Sequence, residues 1–392
     1  MKLTGGFQSM TLRYRAYAGL LATILISAGC TTAQTIEKPR PDRLRDIQAL
    51  AEPSVIWTAG AGKGSDRSVV RYTPYVTDNA VYTISASGRI TALASGTGKK
   101  LWEAKISARP TAGIGGDDQY LYAGTGDGRV FSLSQADGSV VWTAVVSSEI
   151  ISPPTAGLDV VVVRSIDGRV YALNKNNGTR RWIYTYNVPA LSLHGNGRPV
   201  VLPDGVLVGL DNGGLAALSS TDGRVFWEAK LSDSSGRSEI DRLNDLDADL
   251  SLGDDYIYAV NYQGAVAQIE PASGKRLWSV PMSSTVGLDV SEAAVVVTDE
   301  FDTVWGLQSA DGKVLWKQEE LSNRQLTAPV LTGDGNVVVG DFQGYLHVLS
   351  GTTGEIIGRI KAVSGQITNK PVLIDNVLYV LSRSGKIAAV RL

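Results

Sequence analysis

An all-β fold, specifically an eight-bladed β-propeller of four-stranded antiparallel blades, is predicted by three observations on this 392-residue chain. One motif recurs eight times. Each copy sits in a period long enough for four short strands. The last copy breaks off at the C-terminus, where a strand from the N-terminus can complete it. Composition points the same way: 43 Gly, 14 Pro, 43% hydrophobic and 19% charged residues suit many short strands joined by tight turns.

The copies are "SGRITALASGTGKKLW" (87–102), "DGRVFSLSQADGSVVW" (127–142), "DGRVYALNKNNGTRRW" (167–182) and "NGGLAALSSTDGRVFW" (212–227). They continue with "QGAVAQIEPASGKRLW" (263–278), "FDTVWGLQSADGKVLW" (301–316), "QGYLHVLSGTTGEIIG" (343–358) and "SGKIAAVRL" (384–392), at periods of 38 to 51 residues. The first Gly permits the positive φ of a tight hairpin turn. An alternating run such as "RVYAL" then gives the sheet two distinct faces. A second turn, "ADG" or "NNG", leads into a strand ending in Trp. Two more strand-like runs precede each motif, as in "PTAGIGGDDQYLYAGT", which makes four strands per period of about forty residues, the signature of a propeller blade.

Ring closure follows from the ends. The eighth copy stops before its Trp strand, while "SVIWTAG" (54–60) is a Trp strand with no motif before it. The N-terminal strand should therefore complete the last blade. Trp57, Trp102, Trp142, Trp182, Trp227, Trp278 and Trp316 share one repeat position and are expected to pack between blades. Gly358 takes that place in copy seven, and Trp305 lies elsewhere.

The first thirty residues differ from the rest. "RYRAYAGLLATILISAGC" has a basic flank (Arg13, Arg15), an apolar stretch from Ala16 to Ile26 and small residues before Cys30. It is too short for a membrane span and has the layout of an export signal starting at Met1 or Met10. Cys30 is the single cysteine, so no intrachain disulfide can form. The expected organisation is a signal peptide over 1–29, a lipidated flexible tether over 30–52 and the propeller over 53–392. The tether composition, "TTAQTIEKPRPDRLRDIQALAE", has two prolines, mixed charges and few large apolar groups.

Chemistry is sparse. A net charge of −2 with no basic run gives nucleic acid nothing to bind. Two histidines in different repeats, His194 and His347, make no His-rich metal site. His347, inside "GYLHVL", is expected to be a packed or half-exposed strand residue. No G-x-S-x-G elbow occurs. In "SEIDRLNDLDADL" (238–250), Asp245, Asp247 and Asp249 alternate like a calcium loop. An EF-hand would need Gly at 250 and Glu at 256, where Leu250 and Tyr256 stand. No catalytic residue, metal or cofactor is expected.

Two segments break the repeat. From Trp to the next motif Gly the count is 26 in the early copies, but 31 after Trp182 and 37 after Trp227. Both expansions fall in the connection from one blade's outer strand to the next blade's inner strand, on one rim of the ring and in neighbouring blades. The first holds "PALSLHGNG" with Leu191, Leu193 and His194; the second holds Arg242, Asp245 and Asp247. An apolar spot rimmed by charge on a rigid scaffold suits a protein contact. On the residues alone, an alternative stands beside it: the leucines tuck under their own loop and the acids form a solvated surface.

The pattern A-L-x-x-x-[TD]-G-x-x-x-W resembles the tryptophan-docking repeat of quinoprotein-type propellers; no Trp-Asp dipeptide ends a strand as in WD repeats. Cys30 directly after Ser27-Ala28-Gly29 resembles a bacterial lipoprotein box, with Ser27 where Leu is usual. It implies an acylated Cys30, and Thr31 in place of Asp implies the outer membrane, on its periplasmic side. The signal, tether, eight repeats, "ALSLHGNG" and "SEIDRLNDLD" together resemble the BamB family of outer-membrane assembly factors. That resemblance implies a non-enzymatic scaffold that binds the periplasmic domains of the insertase BamA. Other lipoproteins of the complex would be neighbours, and unfolded barrel proteins a further partner. It carries the insertase contact onto Leu191, Leu193, Asp245 and Asp247, with His194 where the family has Arg; Arg242 belongs to the same surface. The competing classes are a quinone-dependent dehydrogenase and a glycan- or cell-wall-binding propeller. Dehydrogenases of this repeat are generally larger, and many use a disulfide of adjacent cysteines that Cys30 alone cannot supply.

Overall fold

The computed structural model describes residues 40–62, 64, 70–189, 191–192, 197–231, 245–246 and 248–392. Within them the chain forms eight antiparallel sheets of four strands, the blades of a propeller. Blade one runs Tyr75–Val76, Ala80–Ile84, Arg89–Ala94 and Lys100–Lys105, from the ring axis outward. Blades two to seven repeat that order. Blade eight takes Val372–Ile374, Val377–Leu381 and Lys386–Arg391 from the C-terminus and Ser54–Gly60 from the N-terminus. Ser54 pairs with Arg391 and Gly60 with Lys386, which closes the ring as expected.

The two middle strands of each blade carry the core. Val81, Leu121, Val161, Val208, Val297, Val339 and Val380 are fully buried, as are Leu133, Ala216, His347 and Ala388 opposite them on third strands. The third and fourth strands pair with one register shift in every blade, for instance between Ala92 and Leu93 or between Ser132 and Leu133. This β-bulge leaves the residue before each Trp out of the ladder and turns the indole toward the next blade. It also leaves apolar side chains on the outer edges of the blades, among them Leu101, Val141, Phe226, Leu277 and Leu315.

The seven tryptophans do pack between blades. Each indole N–H donates to a backbone carbonyl in the next blade: Trp57 to Ser95 at 2.7 Å, Trp142 to Lys175 at 2.8 Å, Trp182 to Ser220 at 2.9 Å, and likewise for the other four. The ring lies flat over the Gly of that blade's outer turn. Gly178 shows why Gly is needed there: its φ is +70°, and a Cβ would sit 2.6 Å from the Trp142 ring. Burying on the order of 150–250 Å² per indole stabilises each interface by roughly 4–6 kcal/mol before side-chain entropy is counted.

Two turns depart from the expected Gly. In copy five the positive φ falls on Gln263 (φ 50°) rather than Gly264, and in copy six Asp302 (φ 63°) takes the position. Gly264 is instead kept by space, since its missing Cβ is where the Asn261 side chain lies.

Gly358 has a topological cause. A tryptophan there would need an outer turn in blade eight to dock on, but that blade's last two strands come from opposite ends of the chain. The space is filled by the segment leading into Ser54–Gly60. The amides of Leu50 and Ala51 both donate to the carbonyl of Ile357, at 2.8 and 3.0 Å, and a Cβ on Gly358 would meet the Ala51 carbonyl at 2.8 Å. Of the stretch expected as a flexible tether, residues 30–39 and Cys30 with them lie outside the described residues. The portion from Asp42 to Ala51 is bonded to blade seven and its approach from blade six.

Candidate protein-contact site

The two irregular connections meet. In the first, between the outer strand of blade three (Arg180–Thr185) and the inner strand of blade four (Val200–Val201), Leu191 is 45% exposed. Beside it the Ser192 hydroxyl donates to Asp245 Oδ2 at 2.7 Å. Further along the same connection, Arg198 reaches Asp249 twice: through its backbone N–H to Oδ1 at 2.8 Å and through Nε to Oδ2 at 3.0 Å. The neighbouring loops are therefore tied by two carboxylates from the second connection.

Placement separates the expected contact residues by role. Leu191 presents its side chain to solvent. Asp245 is 1% exposed, and its side chain faces Ser192 rather than water, because the residues around it are core. Leu246 is buried against Gly209, and Leu246 and Leu250 join Leu207, Leu215, Leu231 and Ile257 in one cluster. The Tyr262 amide bonds the Asp245 carbonyl at 3.0 Å. Within what reads in sequence as an alternating acidic run, Leu246, Ala248 and Leu250 are turned inward. Leu193, His194, Arg242 and Asp247 lie outside the described residues.

Sequence reasoning missed Ser192 and Arg198, and weighed Asp249 only as part of a calcium-loop pattern. Arg198 and Asp249 line a cavity of about 250 Å³ to which all eight blades contribute near the start of their inner strands. Lys370 is held there by Asp289 at 2.9 Å. The candidate rim thus joins the mouth of the ring axis, through an ion pair spread across blades four and five. Among the described residues no group of His, Cys, Asp and Glu is arranged to hold a metal ion.

Two buried polar networks brace neighbouring parts of the ring. Arg164 donates to Tyr186 Oη at 3.1 Å and to Asp211, while Tyr186 donates to Asp211 at 2.9 Å, all inside the protein. Burial pushes the Tyr186 hydroxyl up to about 12, so it stays a donor. In blade seven, Asp341 accepts from Arg324 at 2.6 Å and faces His347 Nε2 at 3.1 Å, while Arg359 Nε donates to His347 Nδ1 at 3.1 Å. A ring nitrogen that accepts from a guanidinium carries no proton, so His347 is neutral with its hydrogen on Nε2. Burial lowers the His347 pKa, Asp341 opposes that, and the charges of Arg359 and Arg324 add to the lowering. His347 is a packed strand residue.

A closed eight-bladed ring of the tryptophan-docking type, with its irregular loops locked together on one rim, defines the class: a quinoprotein-type propeller. The profile described as outer membrane protein assembly factor BamB matches residues 86–318 and 303–391. Outer membrane protein assembly factor BamB of Alkalilimnicola ehrlichii is 45% identical over 372 residues, covering 95% of this chain and 96% of its own. The crystal structure of BamB from Moraxella catarrhalis superposes with a TM-score of 0.80 at 27% identity, covering 87% of this chain and all of that one. Quinohemoprotein alcohol dehydrogenase from Comamonas testosteroni, at 13% identity and a TM-score of 0.68 over 86% of this chain and 76% of its own, shares the fold alone. The chain belongs to the BamB family.

Proposed function

We propose that this protein is a non-enzymatic scaffold of the outer-membrane β-barrel assembly machinery. Its family membership supports the assembly role. The observation that carries the contact is the Ser192–Asp245 bond, which fixes an exposed Leu191 on the rim where both irregular connections converge. The partner is the periplasmic portion of a BamA-like insertase. In this reading Leu191, with Leu193, His194, Arg242 and Asp247, touches the partner, and Asp245 acts from beneath by holding the loop. Cys30, acylated after removal of residues 1–29, anchors the molecule to the outer membrane facing the periplasm. The apolar rim pairs such as Val140/Val141 and Val314/Leu315 on outer edges favour transient pairing with unfolded barrel strands.

Affinity purification from solubilised membranes tests the reading, comparing the parent with Leu191→Arg. The parent should recover the insertase and other assembly lipoproteins, and Leu191→Arg should lose the insertase while folding normally. Recovery of the same partners in equal yield would place the contact elsewhere. Quinone-dependent dye reduction, or retention on peptidoglycan without assembly components, would transfer the protein to one of the two competing classes.

A further inference from the structure

The segment ahead of the ring-closing strand is gripped far more than closure requires. Its Asp42 amide donates to the Ser322 carbonyl at 3.0 Å. Arg324 Nη1 donates to the Asp42 carbonyl at 2.7 Å, and Arg359 Nη1 to the Arg45 carbonyl at 2.9 Å. Leu44 packs on the cluster of Trp316, Leu321 and Leu326, and Leu50 and Ala51 bond the bulge carbonyl of Ile357. Both arginines are aimed by the buried network of Asp341, His347 and Gln343. Backbone carbonyls are the groups gripped, so the hold acts on the path of the chain more than on its side chains.

That path has a direction. Ser322 and Arg324 lie in the connection from the outer strand of blade six (Val314–Gln318) to the inner strand of blade seven (Val330–Leu331). In a four-stranded blade all such connections share one rim, so Asp42 sits on the rim that carries Leu191 and Asp245. Ile357, at the start of Ile356–Lys361, marks the opposite rim. The segment therefore crosses the outside of blade seven from the contact rim to the far rim before turning back as Ser54–Gly60.

We propose that this clasp is an orienting device: it makes the N-terminal chain leave the propeller on the contact rim, so that a membrane-bound N-terminus turns that rim toward the lipid surface. The inference rests on the reading of Cys30 as the anchor. Without the clasp the chain would be held only from Ser54, on the far rim, and the twelve residues from 42 to 53 would be free to swing.

The test uses the full chain processed in cells and recovered in membranes. Cysteine introduced by Ser364→Cys, in the connection after blade seven on the contact rim, or by Thr352→Cys, in the turn on its far rim, is labelled with an environment-sensitive dye. Both positions are exposed. Nitroxide-headgroup lipids are the quencher. Two variants open the clasp from opposite sides: Gly358→Trp, whose side chain displaces Ala51, and Leu44→Asp, which leaves every ring residue intact. The dye at 364 should be quenched at least twofold more than the dye at 352, and either variant should abolish the difference while the protein stays on the membrane. Hydrogen exchange at the Leu50 and Ala51 amides should speed up tenfold or more in Gly358→Trp. Equal or reversed quenching in the parent overturns the proposal. So does a difference that survives in both variants, and so does unchanged exchange. Labelling of the parent at Cys30 itself would instead show a free thiol and sink the anchor reading.

Discussion

Removing the hydroxyl of Ser192 should weaken partner binding, and removing it from a protein that already lacks the carboxylate of Asp245 should add nothing. A 2.7 Å bond joins the two side chains. A hydrogen bond to a charged group is worth about 1.5–3 kcal/mol, and 1.4 kcal/mol is a tenfold change in an equilibrium constant. If that bond is what holds Leu191 in place, Ser192→Ala weakens affinity roughly 10- to 100-fold. Asp245→Asn should lose less than Asp245→Ala, since an amide oxygen still accepts from Ser192; Asp245→Ala should lose at least as much as Ser192→Ala. In the double variant the loss stays near that of Asp245→Ala alone, whereas independent contacts would multiply to about a hundredfold or more. Binding of the soluble propeller to purified insertase periplasmic domains, followed by fluorescence anisotropy, gives all four affinities, and circular dichroism checks that each variant is folded. Losses that multiply would mean that Asp245 touches the partner itself, and would refute its role beneath the loop.

Other expectations concern the frame. Gly178→Ala should destabilise by about 2–5 kcal/mol, from the left-handed backbone (about 1–2 kcal/mol) and the overlap with Trp142 (about 1–3 kcal/mol). Gly96→Ala, where nothing lies within 4 Å, should stay within about 0.5 kcal/mol; urea midpoints compare the two. Arg164→Gln strands Asp211 in the interior and should cost about 3–5 kcal/mol, read as a fall in Tm well beyond that of a rim arginine such as Arg181. His347 has a folded pKa below its unfolded value, so below about pH 6.5 the unfolded chain takes up a proton that the native one refuses. Stability is full above that pH and should fall by up to about 1.4 kcal/mol per pH unit on acidification. His347→Gln should flatten this slope in urea titrations at pH 7.5, 6.5 and 5.5, and an unchanged slope would assign it to other groups.

The repeat was legible because each of its parts answers a local demand that side chains advertise. A turn at φ +75° selects Gly168, and an indole between blades selects both Trp142 and the Gly178 beneath it. Where another device meets the demand, the pattern blurs, as with Gln263 and Asp302. The grip on residues 42–51 was hidden because Arg324 and Arg359 hold carbonyls, which every residue possesses. Gly358 was its one trace in the sequence. The convergence of the two irregular connections could be counted from the spacing of tryptophans and glycines. The burial of Asp245 could not, since an acid flanked by acids looks solvated until Leu246 and Leu250 are seen to face the core.

Closure of blade eight also bears on the history of each molecule. Trp57 faces Ala389 across the ladder, so a strand made early finds its hydrogen-bonding neighbour only in a strand made long after it. Bringing such distant stretches together is the slowest kind of contact for a chain to form. Until it forms, Ser54–Gly60 is an unpaired edge and the docking site over Gly98 stands empty. A molecule cut short by a handful of residues would keep seven sound blades and still lack its seal. The ring is in this sense a completeness check on its own synthesis, and proteases that recognise loose ends would find truncated copies by the one strand they leave unpaired.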